Sequence, residues 1–280
     1  MTEIIGLIGI GKMGSALLER LIIAGKTVQA FDIHLSAMDV ARQGGAETKG
    51  SAAEAAKGAR FVHVFAHNDD QVLNATIEAN GVLESAAPGT IVLLQSTILP
   101  ATTHRVAEVA SKKGIHVIDA AVTSVPRLVR EGSATFLVGG PDDIVAKVRP
   151  HLESLGKTVW HFGPLGAGNA AKLAKNLTNV IERVMWAEAV KLAATAGLDP
   201  NQFIDMAISI GKCGMIEQRE RVLDIENGQV EPNHATSIFT KDVQQATQLA
   251  RDLGLDLQLS QATADITGRW LKQWAAEEKK

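Results

Sequence analysis

The run Gly9-Ile10-Gly11-Lys12-Met13-Gly14 is the feature that most narrows what this chain can fold into. It follows the apolar stretch Ile4 to Ile8, which suits a buried strand, and it opens a segment in which Met13, Leu17, Leu21 and Ile22 recur at helical spacing. A strand that passes through three glycines into a helix needs each of them differently. Gly9 permits the tight turn, Gly11 lets the backbone approach an anion, and Gly14 lets the helix pack closely on the sheet. The same alternation continues downstream. Val28 to Phe31, Phe61 to Phe65, Ile91 to Leu94, His116 to Ile118 and Thr135 to Val138 read as strands buried on both faces, separated by helical stretches. Such a pattern implies crossover units and a mostly parallel, doubly wound α/β sheet.

The open N–H groups and positive dipole end of the first helix suit a pyrophosphate. Asp32, 18 positions past Gly14, ends the second strand, where a carboxylate accepts hydrogen bonds from ribose hydroxyls and repels a 2′-phosphate. Gly9, Ile10, Gly11, Lys12, Met13, Gly14 and Asp32 are therefore expected to bind NAD in a Rossmann domain, with NADP not excluded. The alternative for Asp32 is that it caps the helix that follows.

After His161 the pattern changes. From Ala167 to Ala196 there is no Pro and only Gly168 near the start, which predicts one helix of thirty residues, about 45 Å long, ending at Gly197. Phe203 to Ile210, Met215 to Leu223, Thr240 to Leu253 and Leu257 to Ala276 also show helical period without strand alternation. The expected division is a Rossmann domain over 1–162 and an all-helical substrate and oligomerisation domain over 163–280, joined by the long helix.

Composition excludes several classes of chemistry. The chain has 280 residues with 0 Tyr and 1 Cys, so a tyrosine proton donor, a disulfide framework and a cysteine-rich zinc site are all ruled out. A net charge of −3 with interspersed signs gives no footprint for nucleic acid or an anionic membrane. No apolar run is long enough to span a bilayer, and Met1-Thr2-Glu3 lacks a cationic signal region, so a cytoplasmic setting is expected. Cys213 reads as structural or incidental, and Lys112-Lys113 and Glu277 to Lys280 as solvated charge. His63 and His67 lie too far apart along a strand to share a metal, and no metal site is expected. Trp270 and Trp274, one turn apart, read as packing residues.

The segment Gly163 to Asn176 places three glycines before a helix bearing Lys172 and Asn176 on one face. A lysine near a helix N-terminus among Ala170, Ala171, Leu173 and Ala174 has two influences lowering its ammonium pKa, the dipole and desolvation. Such a group can serve as general acid or base. From spacing alone a solvated surface pair is the competing reading.

These residues resemble the β-hydroxyacid dehydrogenase family, which includes 3-hydroxyisobutyrate dehydrogenases and tartronate semialdehyde reductases and is related to 6-phosphogluconate dehydrogenase. The likeness rests on Gly6 to Gly14, on Ser96-Thr97 after a strand, on Asp119 to Ser124, on Gly163 to Asn176 and on Lys241-Asp242. It implies an NAD(P)-dependent oxidoreductase for a small hydroxy acid or aldehyde, with Lys172 as general acid or base and Asn176 orienting the substrate. It further implies Thr97 beside the cofactor, Thr123 with the following Ser124 and Val125 backbone on a substrate carboxylate, Lys241 reaching the cleft, and a homodimer or larger homo-oligomer. The family usually reads Asp-Ala-Pro-Val-Ser-Gly-Gly where this chain reads Asp119 to Val125 and then Pro126, and His67 replaces a usual Pro. Val125-Pro126 is similar to imine reductases of the same plan, although Lys172 and Asp32 argue against that assignment. A catalytically silent dinucleotide-binding interaction protein is the alternative of another class.

Overall fold

The first eight strands build one sheet in which successive side chains enter opposite cores. They are β1 (Ile4–Ile8), β2 (Thr27–Phe31), β3 (Glu47–Thr48), β4 (Phe61–Val64), β5 (Ile91–Leu94), β6 (His116–Val122), β7 (Ala134–Gly139) and β8 (Gly156–His161). The computed structural model describes residues 3–211, 214–226 and 229–277. Cys213 lies outside the described residues, as do Met1-Thr2 and Glu278-Lys279-Lys280. The sheet order is β3-β2-β1-β4-β5-β6-β7-β8, parallel except where β7 runs antiparallel to β6. Ile5, Leu7, Phe61, Ile91 and Leu93 enter one core with Leu17, Leu21 and Val148. Val62, Val64, Val92 and Leu94 enter the other with Val72 and Val106. This period of two, with both faces apolar and both covered by helices, is what a doubly wound sheet requires.

β1 lies between β2 and β4, so the chain leaves it toward one edge and later resumes on its other side. That reversal opens a crevice at the carboxyl ends of β1 and β4, where ligands of such sheets bind. The glycine turn that follows β1 therefore emerges at the one place where the topology provides space.

The chain divides into two compact units, Met1–Lys172 and Leu173–Lys280. The long helix Ala167–Thr195 has 29 residues and closes at Gly197, whose φ of +88° returns its N–H to Ala194 O. The second unit contains the helices Pro200–Ser209, Ser237–Asp252 and Gln258–Glu277 around Trp186, Val190, Ile204 and Val230, with Trp270 packed against them. Asp199 caps the first of these, accepting from Asn201 N, and Pro200 occupies the first turn. Among the described residues the unit's one sheet is an antiparallel pair, β9 (Leu223–Glu226) and β10 (Gln229–Pro232), and its other elements are helical. The helix expected over Met215 to Leu223 is a 3₁₀ segment, Gly214–Arg221, leading into β9. No described helix is long and apolar enough to cross a membrane.

Candidate active site

Gly9 has φ +87°, and its N–H donates to Phe31 O at the end of β2. A Cβ on Gly9 would stand 1.9 Å from Phe65 O, and one on Gly14 would stand 1.9 Å from Gly9 O. Both glycines are thus required by close backbone approach. Gly11 differs, because a Cβ there would meet nothing within 4 Å. It precedes the helix Lys12–Ile23, which has no side-chain cap and no acidic residue in its first turn. The turn therefore presents uncapped N–H groups to open space, which fits a dinucleotide pyrophosphate. Lys12 is exposed and Met13 half-buried at the rim.

Asp32 accepts from Ile10 N at 2.7 Å with Oδ2 and from His34 N at 2.8 Å with Oδ1. The helix that follows starts from His34 without a side-chain cap, so Asp32 serves the glycine turn as well as its own loop. The strand-end loops beside it are fastened to one another. Ala66 N donates to Ser96 Oγ, while Asp69 Oδ1 accepts from Leu99 N and Thr102 Oγ1. These bonds fix the half-buried Thr97 from both sides. His67 lies exposed in the same loops, and among the described residues no group of His, Cys, Asp and Glu could hold a metal.

At the end of β6, Lys172 Nζ donates to Val122 O at 2.8 Å, one position before Thr123. The first unit thus brings the amine to the head of the segment Thr123 to Val125. Thr123 N donates to Thr135 O, and Ser124 Oγ accepts from Thr135 N at 3.2 Å. The donors this segment offers are the Thr123 and Ser124 hydroxyls and the N–H groups of Ser124 and Val125, which make no backbone pairing among the described residues. Gly163 and Gly166 have φ of +118° and +89°, and a Cβ on Gly166 would press on Pro100, so the glycine-rich entry to the long helix reflects backbone shape and close approach.

In the second unit, Asn176 is buried and its Nδ2 donates to Asp242 Oδ2 at 2.7 Å. Lys241 Nζ lies 2.9 Å from the other oxygen of Asp242 and donates to Gln245 Oε1 at 3.3 Å. Asp242 thus ties together two residues that the sequence singles out separately, a role that spacing alone does not give it. Asp119 opens one of the runs that carry the family resemblance but is given no role of its own there, and its carboxylate accepts from the N–H groups of Gly166 and Asn169. A lone carboxylate inside an otherwise apolar strand is the signal that could have found it.

A family model described as the NAD binding domain of 6-phosphogluconate dehydrogenase matches residues 4–163. A second, described as the NAD-binding of NADP-dependent 3-hydroxyisobutyrate dehydrogenase, matches residues 166–279. An NAD-dependent L-serine dehydrogenase of Pseudomonas aeruginosa is 32% identical over 94% of this chain and 87% of its own. The structure of Mycobacterium tuberculosis 3-hydroxyisobutyrate dehydrogenase with L-serine matches with a TM-score of 0.84 at 27% identity, over 96% of this chain and 94% of that one. An imine reductase from Myxococcus stipitatus in complex with NADP⁺ matches with a TM-score of 0.66, covering 97% of this chain and 94% of that one. At 18% identity it shows the fold alone. Two models matched in order, and a relative alike along nearly the whole length, add to the glycine turn and Asp32: the chain belongs to the β-hydroxyacid dehydrogenase family and is a nicotinamide-dinucleotide-dependent dehydrogenase acting on CH–OH groups.

Proposed function

We propose that this enzyme oxidises a small 3-hydroxy acid of the L-serine or 3-hydroxyisobutyrate kind, or reduces the corresponding semialdehyde, with Lys172 as general base in the first direction and general acid in the second. The observation that carries the reading is the Lys172 Nζ to Val122 O bond, which holds the amine beside Thr123 at the start of the substrate segment. An alcohol that gives up hydride must also give up its hydroxyl proton, and a neutral amine at that point receives it. Bound nicotinamide supplies or accepts the hydride. Gly9 to Gly14 and Asp32 hold the dinucleotide, and the Asp32 carboxylate, with one oxygen on Ile10 N and the other on His34 N, favours NAD over its 2′-phosphorylated form. Thr97 stands beside it on its fastened loop.

In this reading the Thr123 hydroxyl and the N–H groups of Ser124 and Val125 receive the substrate's carboxylate, Asn176 orients the reacting oxygen, and Lys241 adds a cation. Thr123 N is already paired, so the hydroxyl matters more here than in a glycine-rich loop. The names of the two relatives above, one an L-serine dehydrogenase and one a 3-hydroxyisobutyrate dehydrogenase with L-serine, support that substrate class. The test is a panel of L-serine, 3-hydroxyisobutyrate, non-acidic alcohols and, in the reducing direction, cyclic imines, each with NAD(H) and NADP(H). The reading expects turnover of the hydroxy acids with NAD. Turnover confined to imines, or NADH binding without any turnover, contradicts it.

A further inference from the structure

The carboxylate of Asp119 is fully buried in β6, between the apolar residues Ile118 and Ala120, and backbone N–H groups hold it. Its two oxygens are taken by the start of the long helix. Oδ1 accepts from Gly166 N and Oδ2 from Asn169 N, each at 2.7 Å. An anion at a helix N-terminus satisfies N–H groups that the helix itself cannot, and it complements the positive end of the dipole. Here the capping group comes from a central strand instead of from the residue before the helix.

The surroundings are shaped to this carboxylate. A Cβ on Gly139, the β7 residue paired with Asp119, would lie 2.6 Å from Oδ1. A Cβ on Gly168 would lie 2.7 Å from Oδ2 and 2.4 Å from Leu137 O. Two glycines on separate elements therefore leave room for an aspartate and no more. Burial pushes the Asp119 carboxyl up from its ordinary range, and the N–H groups of Gly166, Asn169 and Gly168 oppose that push. On the other side of the same turn, Thr103 Oγ1 donates to Asn169 Oδ1 at 2.7 Å.

The geometry has one further element. Three residues beyond Asp119 on the strand, Val122 O receives Lys172 Nζ, and Lys172 is three residues beyond Asn169 on the helix. Strand and helix are thus fastened at two points, one fixing where the helix begins and the other bearing the amine. We infer that Asp119 is a positioning residue for Lys172, acting through the first turn of the long helix. This rests on the reading of Lys172 as the acid or base. A first turn released from Asp119 frays and lets the amine wander from Val122 O, and a displacement on the order of 1 Å at a reacting group costs up to about 100-fold in rate.

The test compares Asp119→Asn, Lys172→Ala and the double variant with wild type, measuring kcat, KM and NADH affinity on the hydroxy acid that the panel identifies. Asp119→Asn keeps the shape and loses one acceptor. The inference expects kcat to fall about 10- to 100-fold, with KM and the NADH Kd within about twofold, the division that marks loss of an interaction made in the transition state. In the Lys172→Ala background the same substitution should lower residual turnover by less than about twofold, because the residue it positions is gone. Wild-type kcat in Asp119→Asn overturns the inference, as does an equal fold-loss in both backgrounds. Full kcat in Lys172→Ala overturns the underlying reading and the inference with it. A dead Lys172→Ala beside a normal Asp119→Asn overturns the inference alone. Should Asp119→Asn fail to fold, Asp119→Ser is the second variant with the same expectations, and failure of both to fold assigns Asp119 to stability and overturns the inference.

Discussion

Lowering the pH from 7 to 5 should destabilise the first unit through two buried histidines. His63 on β4 shares a face with Phe61, and His151 on the helix Asp142–Leu155 stacks on Phe61 with ring centroids 4.5 Å apart. His63 Nδ1 lies 2.7 Å from Gln95 Oε1, and the two Nε2 atoms lie 2.8 Å apart. The two contacts are matched when both rings are neutral, with His63 donating from Nδ1 and His151 donating from Nε2, while His151 Nδ1 and Gln95 Nε2 are buried without a partner. A proton added to each ring would set N–H against N–H across the Nε2 pair, and neither buried cation has a carboxylate among these contacts. Burial is the main cause that lowers His63 to about 4, and burial followed by the charges of His63, Lys26 and Arg60 lowers His151 to about 2. Both lie below the ordinary 6.5, so the unfolded chain takes up the protons first. The stability these residues contribute is whole above pH 6.5 and is lost as the pH falls toward about 4 for His63 and about 2 for His151. Integrated from pH 7 to 5, each histidine accounts for about 2 kcal/mol, or about 4 kcal/mol together, out of the roughly 5–15 kcal/mol typical of a domain. Urea unfolding of wild type and His151→Gln at both pH values isolates the effect, since other titrating groups cancel in the comparison. The variant should lose about 2 kcal/mol less than wild type on acidification. Equal losses in the two proteins would refute the reasoning.

Two further outcomes concern the glycine turn. Asp32→Ser removes the carboxylate that accepts from Ile10 N and His34 N, and the ratio of kcat/KM for NAD to that for NADP should fall at least about tenfold. An unchanged ratio would detach Asp32 from cofactor choice. Gly14→Ala puts a Cβ 1.9 Å from Gly9 O, a backbone atom that has no side chain to move aside, and calorimetry should find NADH binding lost or weakened by about two orders of magnitude. Wild-type affinity would show that the turn shifts freely.

Features that are local along the chain are legible in the amino-acid sequence itself. The glycine turn, Asp32 and the buried strands β1, β2, β4, β5 and β7 each declare themselves within about ten residues. The edge strands do not. β3 has two residues, and every β8 position after the buried Gly156 is exposed or half-buried, which leaves no apolar run to read. β9 and β10 escape for a similar reason, because Leu223 to Glu226 and Gln229 to Pro232 are four residues each and carry acidic groups. At the site, Lys172 and Asn176 stand out by their shared helix face. The groups that hold them do not, because Asp242 lies 66 residues from Asn176, and Val122 and Asp119 each lie 50 residues from their partners Lys172 and Asn169. Spacing along a helix reveals which side chains share a face, whereas the strand that faces them is fixed by topology.

The proposed mechanism has Lys172 move the proton, with the hydride passing to or from a bound nicotinamide. Its most direct measurement is the rate of NADH formation from L-serine or 3-hydroxyisobutyrate by wild type and Lys172→Ala at saturating NAD, with NADH affinity measured on both proteins. In Lys172→Ala, kcat should fall by about 10²- to 10⁴-fold, the range a general acid or base contributes, while the NADH Kd is unchanged. Wild-type turnover in Lys172→Ala would contradict it.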